Sequence, residues 1–157
     1  MNNNIHTYNY HYGLSFWIYF DTSILNNSQS YKKGLILNYG NQPKMYFDYL
    51  SNELVIEMYK TDKLEKIYKS KDILFQRWNH FVVNFNYGVL DVFVNNNLVF
   101  TTSNVTPYID DKHNNIILGS DEEPLHNCGL CSVVFYDKPL TLSKIKNIYK
   151  NNNNPCQ

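Results

Sequence analysis

Residues 77–98, RWNHFVVNFNYGVLDVFVNNNL, restrict the fold more than any other stretch of the chain. Asn79 to Asn86 and Val89 to Asn95 are rich in Val and Phe, the residues that suit a pleated, half-buried surface. Tyr87-Gly88 lies between them as a short connection in which Gly supplies positive φ. Asn95-Asn96-Asn97 forms a second turn of residues that tolerate the left-handed region, after which Leu98 to Thr102 resumes as a strand. The stretch therefore predicts a three-strand antiparallel meander, with Trp78 anchoring its start in the core.

Strand signals recur on both sides of this meander. From Tyr12 to Phe20 the chain alternates, so that Leu14, Phe16, Ile18 and Phe20 point one way and Ser15, Trp17 and Tyr19 the other. The first set is expected between two sheets. Gly34 to Tyr39, Lys44 to Tyr49, Glu53 to Tyr59 and Leu64 to Lys69 follow as further strands, and Asn115 to Leu118 and Leu130 to Tyr136 come after the meander. Only Leu140, Ile145 and Ile148-Tyr149 have helical spacing, behind Pro139 and a cap at Thr141 or Ser143. Short strands at close intervals with one late helix predict an all-β fold: a two-sheet antiparallel jelly-roll sandwich with one short C-terminal helix. A barrel is the alternative. Residues 1–150 form the domain and residues 151–157 a tail or linker. The longest loops, Asp21 to Lys33 and Ser103 to Asn114, are where binding is expected.

At 157 residues the chain has the size of one domain. Lys plus Arg and Asp plus Glu stand at 14 each, so no global field draws nucleic acid or an anionic membrane. There is no Ala, one Arg and 24 Asn. That bias is typical of AT-rich coding sequence, so abundance alone makes no Asn a ligand. The N-terminus MNNNIHTYNYHYG has no signal-peptide pattern, and no apolar run approaches the ~18 residues that span a bilayer. The segment reads as a soluble domain, either whole or cut from a longer membrane-anchored protein.

Several motifs in order resemble the concanavalin A-like, laminin-G-like jelly rolls. Phe16-Trp17 resembles their early strand, Trp78 to Val83 their W-x-H strand, and Leu90 to Val99 their Asn-turn hairpin. Ile117-Leu118-Gly119, Gly129 to Tyr136 and Pro139 to Tyr149 resemble their closing segment. The nearest likeness is to laminin-G-like proteins of large nucleocytoplasmic DNA viruses. The resemblance implies a binding or structural module, on a virion or host membrane if the source is viral, with other virion or surface proteins, or glycans, as partners. It also implies calcium, held by Asp and loop carbonyls, with Asp110, Asp111 and Asp121 as candidate ligands. Cys131 stands where many relatives place an acid, and Asn96 where they place Gly.

The chemistry-bearing residues favour a module without catalysis. Glu53 and Glu57 share a strand face, but four residues at ~3.3 Å each put them roughly 13 Å apart. A retaining glycosidase pair needs about 5–5.5 Å, so hydrolysis stays a minor alternative. His80 has no partner legible in the sequence and reads as structural. Cys128-Gly129-Leu130-Cys131 lacks the remaining ligands of a zinc site and the helix of a redox motif, so it reads as two small residues at a strand entry. Tyr46, Tyr49 and Tyr59 on neighbouring strands are the candidate platform for stacking on sugar rings. Sequons occur at Asn26 and Asn104.

Overall fold

Alternation along the strands is what sorts this chain into layers. The computed structural model describes residues 11–26, 32–40, 42–60, 63–105, 115–151 and 155–156. Among them are ten strands: β1 (His11–Phe20), β2 (Lys33–Tyr39), β3 (Lys44–Asp48), β4 (Glu53–Lys60), β5 (Lys63–Ser70), β6 (Trp78–Asn86), β7 (Val89–Val94), β8 (Asn97–Thr102), β9 (Ile116–Leu118) and β10 (Cys128–Tyr136). One helix follows, α1 (Leu142–Asn151). The strands form two antiparallel sheets, ordered β10-β1-β6-β7-β8 and β5-β4-β3-β2-β9. The result is the expected jelly-roll sandwich. No helix among the described residues is long and apolar enough to cross a membrane.

Leu14, Phe16, Ile18 and Phe20 lie between the sheets as expected, packed with Phe81, Val83 and Phe85 of β6 and with Met45, Phe47, Leu54 and Ile56 of the facing sheet. The meander forms with the predicted turns. Tyr87 and Gly88 have φ of 47° and 88°, and Asn95 and Asn96 have 49° and 70°. Positive φ at both central residues gives the twist that matches two antiparallel strands.

The first sheet is buried on its outer face as well. Helix α1 is capped by the Thr141 hydroxyl, which accepts from Lys144 N–H at 3.3 Å, and it lays Ile145 against Val82, Phe93 and Leu140. Asn84 holds the entry to the helix: its Nδ2 donates to Leu140 O and its Oδ1 accepts from Leu140 N–H, both at 2.9 Å. Gly13, opposite Asn84 in the sheet, leaves the space that Leu140 fills; a Cβ there would come within 2.2 Å of Leu140 Cδ1.

The chain end is also tied down. Cys131 of β10 is disulfide-bonded to Cys156, Pro155 is buried, and the Ser132 hydroxyl donates to Pro155 O at 2.6 Å. Within the segment read as a tail, Pro155 and Cys156 are thus fastened to the sheet. The Cys131 read as a plain strand residue is its fastening point.

Trp78 differs from the sequence reading. It lies on the outer face, opposite Tyr19, half-buried against that ring and Gly129. The odd-numbered residues of β6 face inward, which sends Trp78, His80 and Val82 outward. Trp17 is the more deeply buried indole, 4% exposed. We therefore expect Trp17→Ala to cost ~3–5 kcal/mol and Trp78→Ala about half as much, read from denaturant midpoints; the reverse order would place Trp78 in the core after all. Closing a loop of 25 residues, the disulfide should contribute roughly 3 kcal/mol. Cys156→Ser should lower unfolding stability by that amount, and an unchanged midpoint would mean that the tail contributes nothing.

Candidate functional site

The tyrosines chosen from sequence do not form an exposed platform. Tyr46 is fully buried, its hydroxyl donating to Glu57 Oε1 at 2.7 Å. Lys33 Nζ lies 4.3 Å from its ring centroid and 3.9 Å from Glu57 Oε1. Burial first, then Glu57, raises the Tyr46 phenol beyond its ordinary range. Tyr49 is 1% exposed and fixes the loop before β10, donating to Pro124 O and accepting from His126 N–H, both at 3.1 Å. Neither ring offers a face to a sugar. Tyr59 is half-buried near the end of β4, apart from any cavity described here.

Two buried or half-buried carboxylates are likewise committed. Glu57 serves Tyr46 and Lys33, while Glu123 pairs with Lys44 at 2.9 Å. Asp121 sits on an exposed bend before β10, and Asp110 and Asp111 lie outside the described residues. Among the described residues no group of three or more His, Cys, Asp or Glu side chains is placed to hold a metal ion. Cys131 is bonded to Cys156, so it offers no oxygen at the position where relatives carry an acid.

Cys128 is a free thiol, pushed up to about 12 by burial and then by Asp21, so it is not a reactive thiolate. His80 does have a serine partner: Ser15 Oγ lies 2.9 Å from its Nε2. The pair resembles part of a nucleophilic site, but Ser15 is 3% and His80 1% exposed, and Nδ1 has no partner among the described residues. Buried in this way, with no acid placed beside it among the described residues, the pair lacks the access and the orienting group of an activated nucleophile.

The site that the sequence reading missed is an open groove of about 670 Å³ where three elements meet. The end of β5 and its following loop contribute Tyr68, Ser70 and Asp72, the β7–β8 hairpin contributes Asn95 and Asn97, and α1 contributes Tyr149. Buried Asn79 braces two of these elements. Its Nδ2 donates to Leu74 O at 2.7 Å, and its Oδ1 accepts from Leu74 N–H at 3.3 Å and from Asn95 Nδ2 at 3.2 Å.

Tyr149 is 37% exposed and lies nearly parallel to Trp17, 6.0 Å between centroids. Tyr68 is steadied by Phe100 at 5.3 Å. Fixed aromatic rings beside amides and a carboxylate can stack on an apolar ligand face while bonding its hydroxyls. The helical periodicity around Tyr149 was legible. Its meeting with a hairpin over fifty residues earlier was not.

A laminin G family model, described as "Concanavalin A-like lectin/glucanases superfamily", matches residues 2–146. No curated protein matches the chain. Among solved structures, the botulinum neurotoxin serotype D binding domain is similar at a TM-score of 0.70 and 19% identity, over 96% of this chain and 39% of that one. The receptor binding domain of botulinum neurotoxin C/D mosaic serotype gives 0.71 at 14% identity, over 91% and 36%. Trypanosoma rangeli sialidase gives 0.68 at 13% identity, over 95% and 24%. The chain spans about two fifths or less of these proteins, and likeness at such identities concerns the fold alone. With the family model matched over most of its length, the chain belongs to the concanavalin A-like lectin/glucanases superfamily.

Proposed function

We propose that this chain is a non-catalytic, lectin-like binding module that takes a glycan in the groove beside Tyr149. The observation that carries this reading is the grouping of a pinned, exposed ring with Asp72, Asn95 and Asn97 around one cavity. A sugar presents an apolar C–H face and a rim of hydroxyls, and these residues supply a partner for each. The Asp72 carboxylate is a strong acceptor for a hydroxyl. The volume falls in the range of small-ligand sites. The idea of a tyrosine platform is retained, on different rings from those first expected.

Of the three structures of like fold, one is named as a binding domain, one as a receptor binding domain and one as a sialidase. Binding agrees better than hydrolysis with a groove lined by one carboxylate, Asp72, where a glycosidase uses a pair. If the source is viral, as the resemblance of the motifs to laminin-G-like proteins of large DNA viruses implies, a virion or host membrane is the setting we propose for such a module. Proteomics of purified particles would test that placement.

A glycan array, run with calcium and with a chelator, tests the binding itself. Binding is expected in both conditions. Tyr149→Ala and Asp72→Asn should each weaken it about tenfold, the loss of one stacking or charged hydrogen-bond contact, at unchanged thermal midpoint for Asp72→Asn. No retained glycan in either condition would end the proposal. Binding abolished by the chelator would point instead to a calcium site in the loops.

A further inference from the structure

His80 lies directly behind two residues that line the groove. Its backbone N–H donates to Asn95 Oδ1 at 2.9 Å, and Asn95 N–H donates to His80 O at 2.8 Å. Its ring is one corner of an aromatic triangle, 4.7 Å from Trp17 and 6.3 Å from Tyr149, which lie 6.0 Å from each other. Resting on the reading of the groove as a glycan site, we propose that His80 is a positioning residue whose protonation loosens Tyr149 and Asn95 and releases the ligand in acid.

The chemistry follows from the partners available. A charged imidazole carries N–H on both ring nitrogens. Nε2 has Ser15 Oγ at 2.9 Å, but Nδ1 has no partner among the described residues. Trp17 Nε1, in the neighbouring ring, is also unpartnered and is itself a donor, so it cannot accept the new proton. The groups packed on His80 are Ser15 and Trp17 from β1, Asn95 from the hairpin and Tyr149 from α1, none of them charged. Cys131, opposite Trp17 on β10, is held in its disulfide. The charged side chains of α1 are Lys144, Lys146 and Lys150, with no acid among them. Among the described residues no anion or free acceptor stands ready for the second N–H of an imidazolium, which leaves only the faces of Trp17 and Tyr149 to offset its desolvation.

Burial holds His80 down at about 4, against an ordinary value near 6.5. A state in which α1 has lifted and the ring is wet takes the proton first. The docked helix therefore has its full advantage above about pH 6.5 and loses it as pH falls through about 4. Tyr149 is a wall of the groove, so release of the helix removes that wall. Binding should fall in the same window.

The test needs no ligand, so its outcome is separate from that of the glycan array. Two-dimensional NMR spectra of the full chain are recorded from neutral pH to about pH 4. The Asn95 amide and the amides of residues 142–151 should shift with the midpoint of the His80 ring. Amide exchange in that helix, corrected for intrinsic rates, should rise at least tenfold while Leu54 to Met58 in the second sheet stay protected. His80→Gln, with His80→Phe as a second non-titrating variant, should abolish the transition. Helix protection that stays flat through the His80 midpoint would overturn the proposal. So would the same transition in either folded variant, or simultaneous loss of protection in both sheets.

Discussion

The centre of the sheet made by β10-β1-β6-β7-β8, strands β1 and β6, is covered on both faces, and the remaining architecture depends on that double burial. One face meets the second sheet through ordinary apolar packing. The other is closed by a ten-residue helix, too short to be stable in water by itself. Its docking rests on the paired hydrogen bonds between Asn84 and Leu140 and on the absent side chain at Gly13. Ile145 adds apolar burial. The amide clamp is the demanding part, since a buried Asn left half-satisfied would cost more than it contributed. Both of its polar ends are matched.

Double burial also accounts for the polar residues in the interior of β1 and β6. Ser15, His80 and Asn84 sit at positions that would face water in a sheet open on one side. Under the helix they must find partners within the protein. Ser15 and His80 bond each other, and Asn84 bonds the chain leading into α1. Trp17 Nε1 and His80 Nδ1, which have no hydrogen-bond partner among the described residues, are the incomplete part of this arrangement. They lie under Tyr149, where the helix meets the groove.

Much of this fold was legible in the sequence because its signals are local. Strand alternation marked the two faces of β1, and the Tyr87-Gly88 and Asn95-Asn96 pairs marked the hairpin turns. Thr141 was one of two caps named, and it is the one that caps. What escaped was each feature set by a distant partner. Alternation shows that Trp17 points away from the first core but not that a helix returns to bury it. Trp78 carries the same apolar signal, yet a half-covered position on that outer face leaves it partly wet. Tyr46 and Tyr49 belong to a chain with fourteen tyrosines, and nothing local distinguishes a ring under Lys33 from one open to solvent. The Cys131 to Cys156 bond joins a strand to a segment that reads as linker, and three cysteines leave the pairing open.

The candidate site follows the same division. Asn95 and Asn97 stood out as turn residues and Tyr149 as part of an apolar helical face, each correctly placed on its own element. Their chemistry exists only where those elements meet, so the site is a property of docking. That has a thermodynamic consequence. A groove with one wall on a separately docked helix binds fully only when the helix is seated, and its affinity is reduced by the fraction of molecules in which it is not. By linkage, any occupant that touches Tyr149 must stabilise the helix against release as much as docking improves the occupant's affinity. The Asn84 clamp and the disulfide, neither of which lines the groove, therefore help set how well the groove binds. Substitutions at Gly13 or Asn84 would weaken a ligand they never touch.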